Sequence, residues 1–158
     1  MSKKCNKVLK SVFMLMCVVG VAAGCVAVLA GCDGSSAPLP TEYDWVFESL
    51  TVTEDDAVHI YKVSVGGEYD GMTVDADMVK VSFNTGAFFL DFADGTERWG
   101  EWKAGAERGG AHMIVYTYPN GDVCYGTCGI TTEYDGTEYA QLYIVDGNKS
   151  YIFVAATE

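Results

Sequence analysis

The stretch EYAQLYIVDGNKSYIFVAA, Glu138–Ala156, decides the fold class. Ala140, Leu142 and Ile144 share one face of an extended chain, and Tyr139, Gln141 and Tyr143 share the other, because successive strand side chains point to opposite sides. Asp146-Gly147 then tolerates the positive φ angles of a tight hairpin, and Tyr151–Ala156 returns as a second apolar run. Working outward, the same grammar recurs. Ile114, Tyr116 and Tyr118 oppose Met113, Val115 and Thr117. Phe88, Leu90 and Phe92 share a face that excludes Asp91, and Val79, Val81 and Phe83 alternate with Met78, Lys80 and Ser82. Turn dipeptides separate the runs at Asp70-Gly71, Thr85-Gly86, Asp94-Gly95, Asn120-Gly121 and Asp135-Gly136.

With Trp45–Thr53, Val58–Val65, Glu97–Lys103 and Val123–Thr132, the pattern predicts about nine strands. No stretch after Thr41 carries the 3.6-residue apolar spacing of a long helix. The expectation is an all-β antiparallel meander. Closing it removes the sheet edges that would otherwise invite aggregation, so a small barrel of eight or nine strands is expected, with a small β-sandwich as the alternative.

The first third of the chain is a different kind of sequence. Lys3, Lys4, Lys7 and Lys10 precede Ser11–Gly31, which has no charged side chain. All 22 acidic residues and six of the ten basic ones follow Gly31, which leaves that part at −16. A basic start and an apolar run make an export signal, with the lysines on the cytoplasmic side. Small residues then lead to a cysteine at Leu29-Ala30-Gly31-Cys32.

This segment resembles the signal and lipobox of bacterial lipoproteins. The resemblance implies cleavage before Cys32, diacylglycerol on its sulfur, and a domain anchored to the bacterial membrane on the extracytoplasmic side. Ala22-Ala23-Gly24-Cys25 is a poorer site: it lacks the branched residue three positions earlier, and cutting there would leave an apolar tail. An uncleaved anchor is the other reading, since 21 residues make a helix about 30 Å long. The division expected is a signal at 1–31, a lipidated cysteine and flexible tether at 32–40, and the β domain at 41–158.

Within that domain, Trp45 opening the first strand, Phe47-Glu48-Ser49, Phe92-Ala93-Asp94-Gly95-Thr96 and Gly100-Glu101-Trp102-Lys103 are similar to bacterial lipocalin-like lipoprotein domains. The Tyr134-Asp135-Gly136 and Asp146-Gly147 hairpins fit the same pattern. The resemblance implies a barrel with interior space, and no chemistry.

The chemistry-bearing residues are few. Cys124 and Cys128 bracket Tyr125-Gly126-Thr127, and on a continuous strand their α-carbons would stand about 13 Å apart, too far to bond. A turn or bulge at Gly126 would permit a disulfide, which export to an oxidising compartment favours; free buried thiols and a redox pair are the alternatives. Tyr61, Trp99, Trp102, Tyr116 and Tyr118 are the candidate pocket residues, since tyrosine and tryptophan join an apolar ring to a polar tip. Trp99 and Trp102, three apart, should face opposite sides.

His59 and His112 stand outside any metal-binding spacing, and Glu54-Asp55-Asp56 reads as a solvated turn. No metal, cofactor or catalytic residue is expected. A charge of −16 opposes binding to nucleic acid or anionic lipid. The function expected is a non-catalytic binding module for a small amphipathic ligand or a partner protein. The alternative is a structural or accessory envelope protein with no small-molecule ligand.

Overall fold

The computed structural model describes residues 37–156; the signal, Leu29, Ala30, Gly31 and Cys32 lie outside the described residues. After a single 3-10 turn at Pro40–Glu42 come eleven strands: β1 (Trp45–Glu54), β2 (Ala57–Lys62), β3 (Glu68–Tyr69), β4 (Met72–Thr73), β5 (Val79–Phe83), β6 (Ala87–Phe92), β7 (Glu97–Arg108), β8 (Ala111–Thr117), β9 (Val123–Thr132), β10 (Glu138–Asp146) and β11 (Lys149–Ala155). Nine form one antiparallel sheet in the order β2-β1-β11-β10-β9-β8-β7-β6-β5, and β3 pairs with β4 in a separate hairpin.

From β5 to β11 the order is a plain meander, as the turn dipeptides require. β1 adds beside β11, pairing Leu50 with Tyr151 and Val52 with Lys149. The alternation seen in sequence is the burial pattern: Ala140, Leu142 and Ile144 are buried, as are Ile114 and Tyr116, and Phe88 and Leu90. Phe47 from β1, Val81 from β5, Ile114 from β8 and Phe153 from β11 belong to one core cluster. The sheet therefore wraps round a single core, and β5 comes against β1. The hydrogen-bonded ladder leaves β2 and β5 as its two edges.

Two glycines let the core face fill with rings. A Cβ on Gly126 would stand 1.9 Å from the Tyr143 carbonyl oxygen and 3.0 Å from the Tyr116 ring. One on Gly100 would stand 2.3 Å from the Thr117 carbonyl oxygen and 2.9 Å from Phe88. Tyr116 and Phe88 occupy the space a side chain would need, and pack edge to face at 4.9 Å.

Several expectations change. β2 stops at Lys62 rather than Val65, and β7 continues to Arg108 through a register shift between Ala104 and Glu107. The β3–β4 hairpin turns at Asp70-Gly71, both at positive φ; its strands of two residues are too short to show alternation. Ala37–Pro40, expected as part of a flexible tether, is packed: Ala37, Pro38 and Pro40 are buried. The Pro40 carbonyl accepts a 2.7 Å hydrogen bond from the Trp45 indole nitrogen. Proline has no amide hydrogen to satisfy, so Pro38 and Pro40 bury cheaply.

The sheet has two ends. At the near end lie the start of β1, the N-terminal arm and the β5–β6, β7–β8 and β9–β10 turns. At the far end lie the β1–β2, β6–β7, β8–β9 and β10–β11 turns, with the β3–β4 hairpin beside them.

Candidate functional site

At the far end the core face changes from apolar to polar. Arg98 pairs across the sheet with buried Leu90, so its side chain starts on the core face. Asp146 continues the Leu142, Ile144 side of β10, Lys149 pairs with buried Val52, and Tyr118 continues the Ile114, Tyr116 side of β8. These four side chains, delivered by β7, β8, β10 and β11, form a polar layer over the core.

The contacts within it are specific. Arg98 donates to Asp146 Oδ2 and forms an ion pair with it. Tyr118 donates its hydroxyl hydrogen to the same oxygen at 3.0 Å. The Arg98 guanidinium carbon lies 4.2 Å from the Tyr118 ring centre, a cation–π arrangement. Below them, Cys124 Sγ is 3.9 Å from the Tyr118 hydroxyl. Burial pushes the Tyr118 hydroxyl far above its ordinary pKa, helped by Cys124 and Asp146, so it stays a proton donor.

A cavity of about 270 Å³ opens over this layer. Leu50, Met78, Phe92 and Tyr151 form its apolar floor; Arg98, Asp146, Asn148 and Lys149 stand on one side, and Asp94 and Thr96 on another. The β3–β4 hairpin closes the remaining side with Tyr69, Asp70 and Met72. Lys149 Nζ sits 5.1 Å from the Tyr69 ring centre. The Asp94 side chain braces its own turn: its Oδ1 accepts from the Thr96 amide at 2.8 Å and the Thr96 hydroxyl at 2.6 Å. Those bonds hold its carboxyl below the usual aspartate range. The volume lies just under the ~300 Å³ at which drug-sized ligand sites begin, and suits a molecule with one apolar and one polar end.

The five predicted pocket residues do not converge on this cavity. Tyr61 is half-buried and packs at a tilt against Tyr69, with ring centres 4.9 Å apart, one ring behind the wall. Trp99 is half-exposed on the outer face. Trp102 points to the opposite side, as the spacing required; it donates to the Asn84 carbonyl at 2.9 Å and borders a shallow near-end groove with Leu39 and Gly86. Tyr116 is buried in the core, with its hydroxyl unpartnered among the described residues. Tyr118 alone reaches the site, from beneath.

The disulfide expectation is corrected. β9 is continuous through Gly126, and Cys124 and Cys128 are separate buried thiols. A residue with no Cβ was needed for the Tyr116 ring, not for a turn. Burial raises both thiols, Cys124 to about 11 with help from Asp146, and Cys128 to about 12. At neutral pH both are protonated and weakly nucleophilic.

His59 is exposed, and no group of three or more His, Cys, Asp or Glu among the described residues could hold a metal ion. Glu54-Asp55-Asp56 forms the β1–β2 turn, with Asp55 and Asp56 at φ 47° and 65°.

Arg98, Asp146 and Lys149 were missed in the sequence, although a signal was present. Asp146, two after Ile144, continues a face the sequence marks as apolar, and Arg98 shares the face of Gly100 and Trp102, which the pairing with Leu90 shows to be the core side. In sequence Asp146-Gly147 presents itself only as a turn. No family model, characterised protein or solved structure matches this chain.

Proposed function

We propose that the chain is a bacterial lipoprotein, anchored through Cys32 on the extracytoplasmic face of the membrane, whose acidic β domain is a non-catalytic binding module for a small amphipathic ligand. The observation that carries the reading is the far-end cavity, where an apolar floor meets a cationic and carboxylate wall. In this reading the sheet is a barrel of lipocalin-like form. The approach of β5 to β1 round one core supports it. The lipobox-like Leu29-Ala30-Gly31-Cys32 and the charge change after Gly31 support the anchor.

The ligand's apolar part would rest on Leu50, Phe92 and Tyr151, and its polar end would meet Arg98, Asn148 and Lys149. A binding role fits the wall chemistry: Arg98, Tyr118 and Asp146 engage one another, and both thiols are held protonated.

A second reading, an accessory envelope protein that docks without a ligand, is favoured by the outer face. Met113 and Tyr125, diagonal neighbours on β8 and β9, are both about half exposed. Native mass spectrometry of the full chain extracted from its host membrane separates the readings. An acyl mass on the N-terminal cysteine with a further non-covalent adduct supports the binding module. The acyl mass without that adduct supports the docking role.

A further inference from the structure

We infer that the anchored domain stands with its cavity turned away from the bilayer, so that the ligand enters from the aqueous side and is a water-soluble molecule rather than a membrane lipid. This rests on the lipid anchor proposed above.

The N-terminal arm is fixed at the near end of the sheet. Ala37, Pro38 and Pro40 are buried, Pro40 is tied to Trp45, and Leu39 borders the β5–β6 turn at Gly86 and Trp102. The cavity lies at the opposite end, between the β6–β7 and β10–β11 turns. β1 spans ten residues between these ends. At ~3.3 Å per residue that is about 33 Å along the strand, or about 25 Å of height at a barrel-like tilt.

Only Asp33, Gly34, Ser35 and Ser36 separate Cys32 from Ala37. Five α-carbon steps reach at most about 17 Å when fully extended. To bring the cavity over the headgroups, the linker would have to run from the near end past the length of the sheet, which exceeds that reach. The cavity's small volume independently favours a compact soluble ligand over an acyl chain.

The test places a fluorophore at either end of the full-length protein in vesicles doped with a headgroup-nitroxide lipid, through Thr85→Cys at the near-end turn or Asn120→Cys at a far-end turn. Both positions are exposed, while Cys124 and Cys128 are buried and stay unlabelled. Quenching several-fold stronger at position 85 than at 120 is expected. Equal or stronger quenching at position 120 overturns the orientation.

Inserting about twelve Gly-Ser residues between Ser36 and Ala37 should shrink the difference, since a flexible linker of that length lets the domain tumble. An undiminished difference would show that linker length does not set the orientation, and overturns the account. Intact mass separates this from failure of the anchor: a wild-type chain without acyl mass on Cys32 removes the anchor and the orientation together.

Discussion

Arg98 and Asp146 meet across the inside of the sheet, 48 residues apart in the chain, and Tyr118 donates to the same carboxylate oxygen. The pair is unequal in exposure, with 42% of the Arg98 side chain and 14% of the Asp146 side chain open to solvent. Removing either partner therefore leaves a different residue stranded. Asp146→Asn frees an arginine that can rehydrate, and should cost about 1 kcal/mol. Arg98→Met leaves a mostly buried carboxylate with only the Tyr118 hydroxyl, and should cost about 2–3 kcal/mol. Urea unfolding midpoints of the two variants should fall in that order.

Much of this architecture was legible in sequence because a half-buried strand has a two-residue period. Leu142, Ile144, Phe88 and Leu90 declare their face by alternating with polar or smaller neighbours, and the Asp-Gly and Asn-Gly turns set the meander. The site was harder to see, since its residues come from four strands and each looks ordinary alone. Arg98 is one of six basic residues in an acidic domain, and only its parity with Gly100 and Trp102 marks it. Gly126 misled for a physical reason: a glycine between two cysteines suggests a turn, yet here it accommodates the Tyr116 ring on a straight strand. The Asp70-Gly71 turn was legible, but the β3 and β4 strands on either side of it were not, because two residues carry no period.

That role for Gly126 is testable. Gly126→Ala puts a methyl group within 1.9 Å of the Tyr143 carbonyl oxygen, and the neighbour is backbone in the β9–β10 ladder. A loss of about 3 kcal/mol is expected, at the upper end of overpacking effects. Gly105→Ala is the control, because its nearest neighbour stands 3.3 Å away. Thermal unfolding should separate the two variants by more than ~5 °C.

The buried thiols and phenols predict a direction for alkaline stability. Cys124 and Cys128 ionise near 9 when exposed but only near 11 and 12 in the folded chain, and Tyr116, Tyr118 and Tyr151 are also raised by burial. Below the unfolded values both states keep these protons and the contribution is fully present. As pH rises from about 9 towards the folded values, the unfolded chain releases protons first, so stability falls. Urea midpoints should drop steadily above pH 9, more steeply than in a Cys124→Ala, Cys128→Ala chain. At pH 8 the two thiols should resist a thiol reagent until urea unfolds the domain.

The β1–β2 turn holds Asp55 and Asp56 in the left-handed region without a glycine. Aspartate tolerates that conformation, and a β-branched residue does not. Asp56→Gly should be neutral or stabilising by up to ~1 kcal/mol, and Asp56→Val should cost about 1–2 kcal/mol. The order glycine, aspartate, valine in unfolding midpoint is the expected outcome.

The central claim is that the far-end cavity binds a small molecule. The most direct measurement follows the amide resonances of the full-length, isotope-labelled chain in nanodiscs after its co-purifying small molecules are removed and then returned. The account predicts shifts concentrated at Thr96, Asn148, Lys149 and the Asp70 hairpin, with Gly86 and Trp102 at the near end unmoved, and their loss in an Arg98→Ala, Lys149→Ala chain. Shifts centred on the outer face at Met113 and Tyr125, or no shifts on return of the extract, would contradict it.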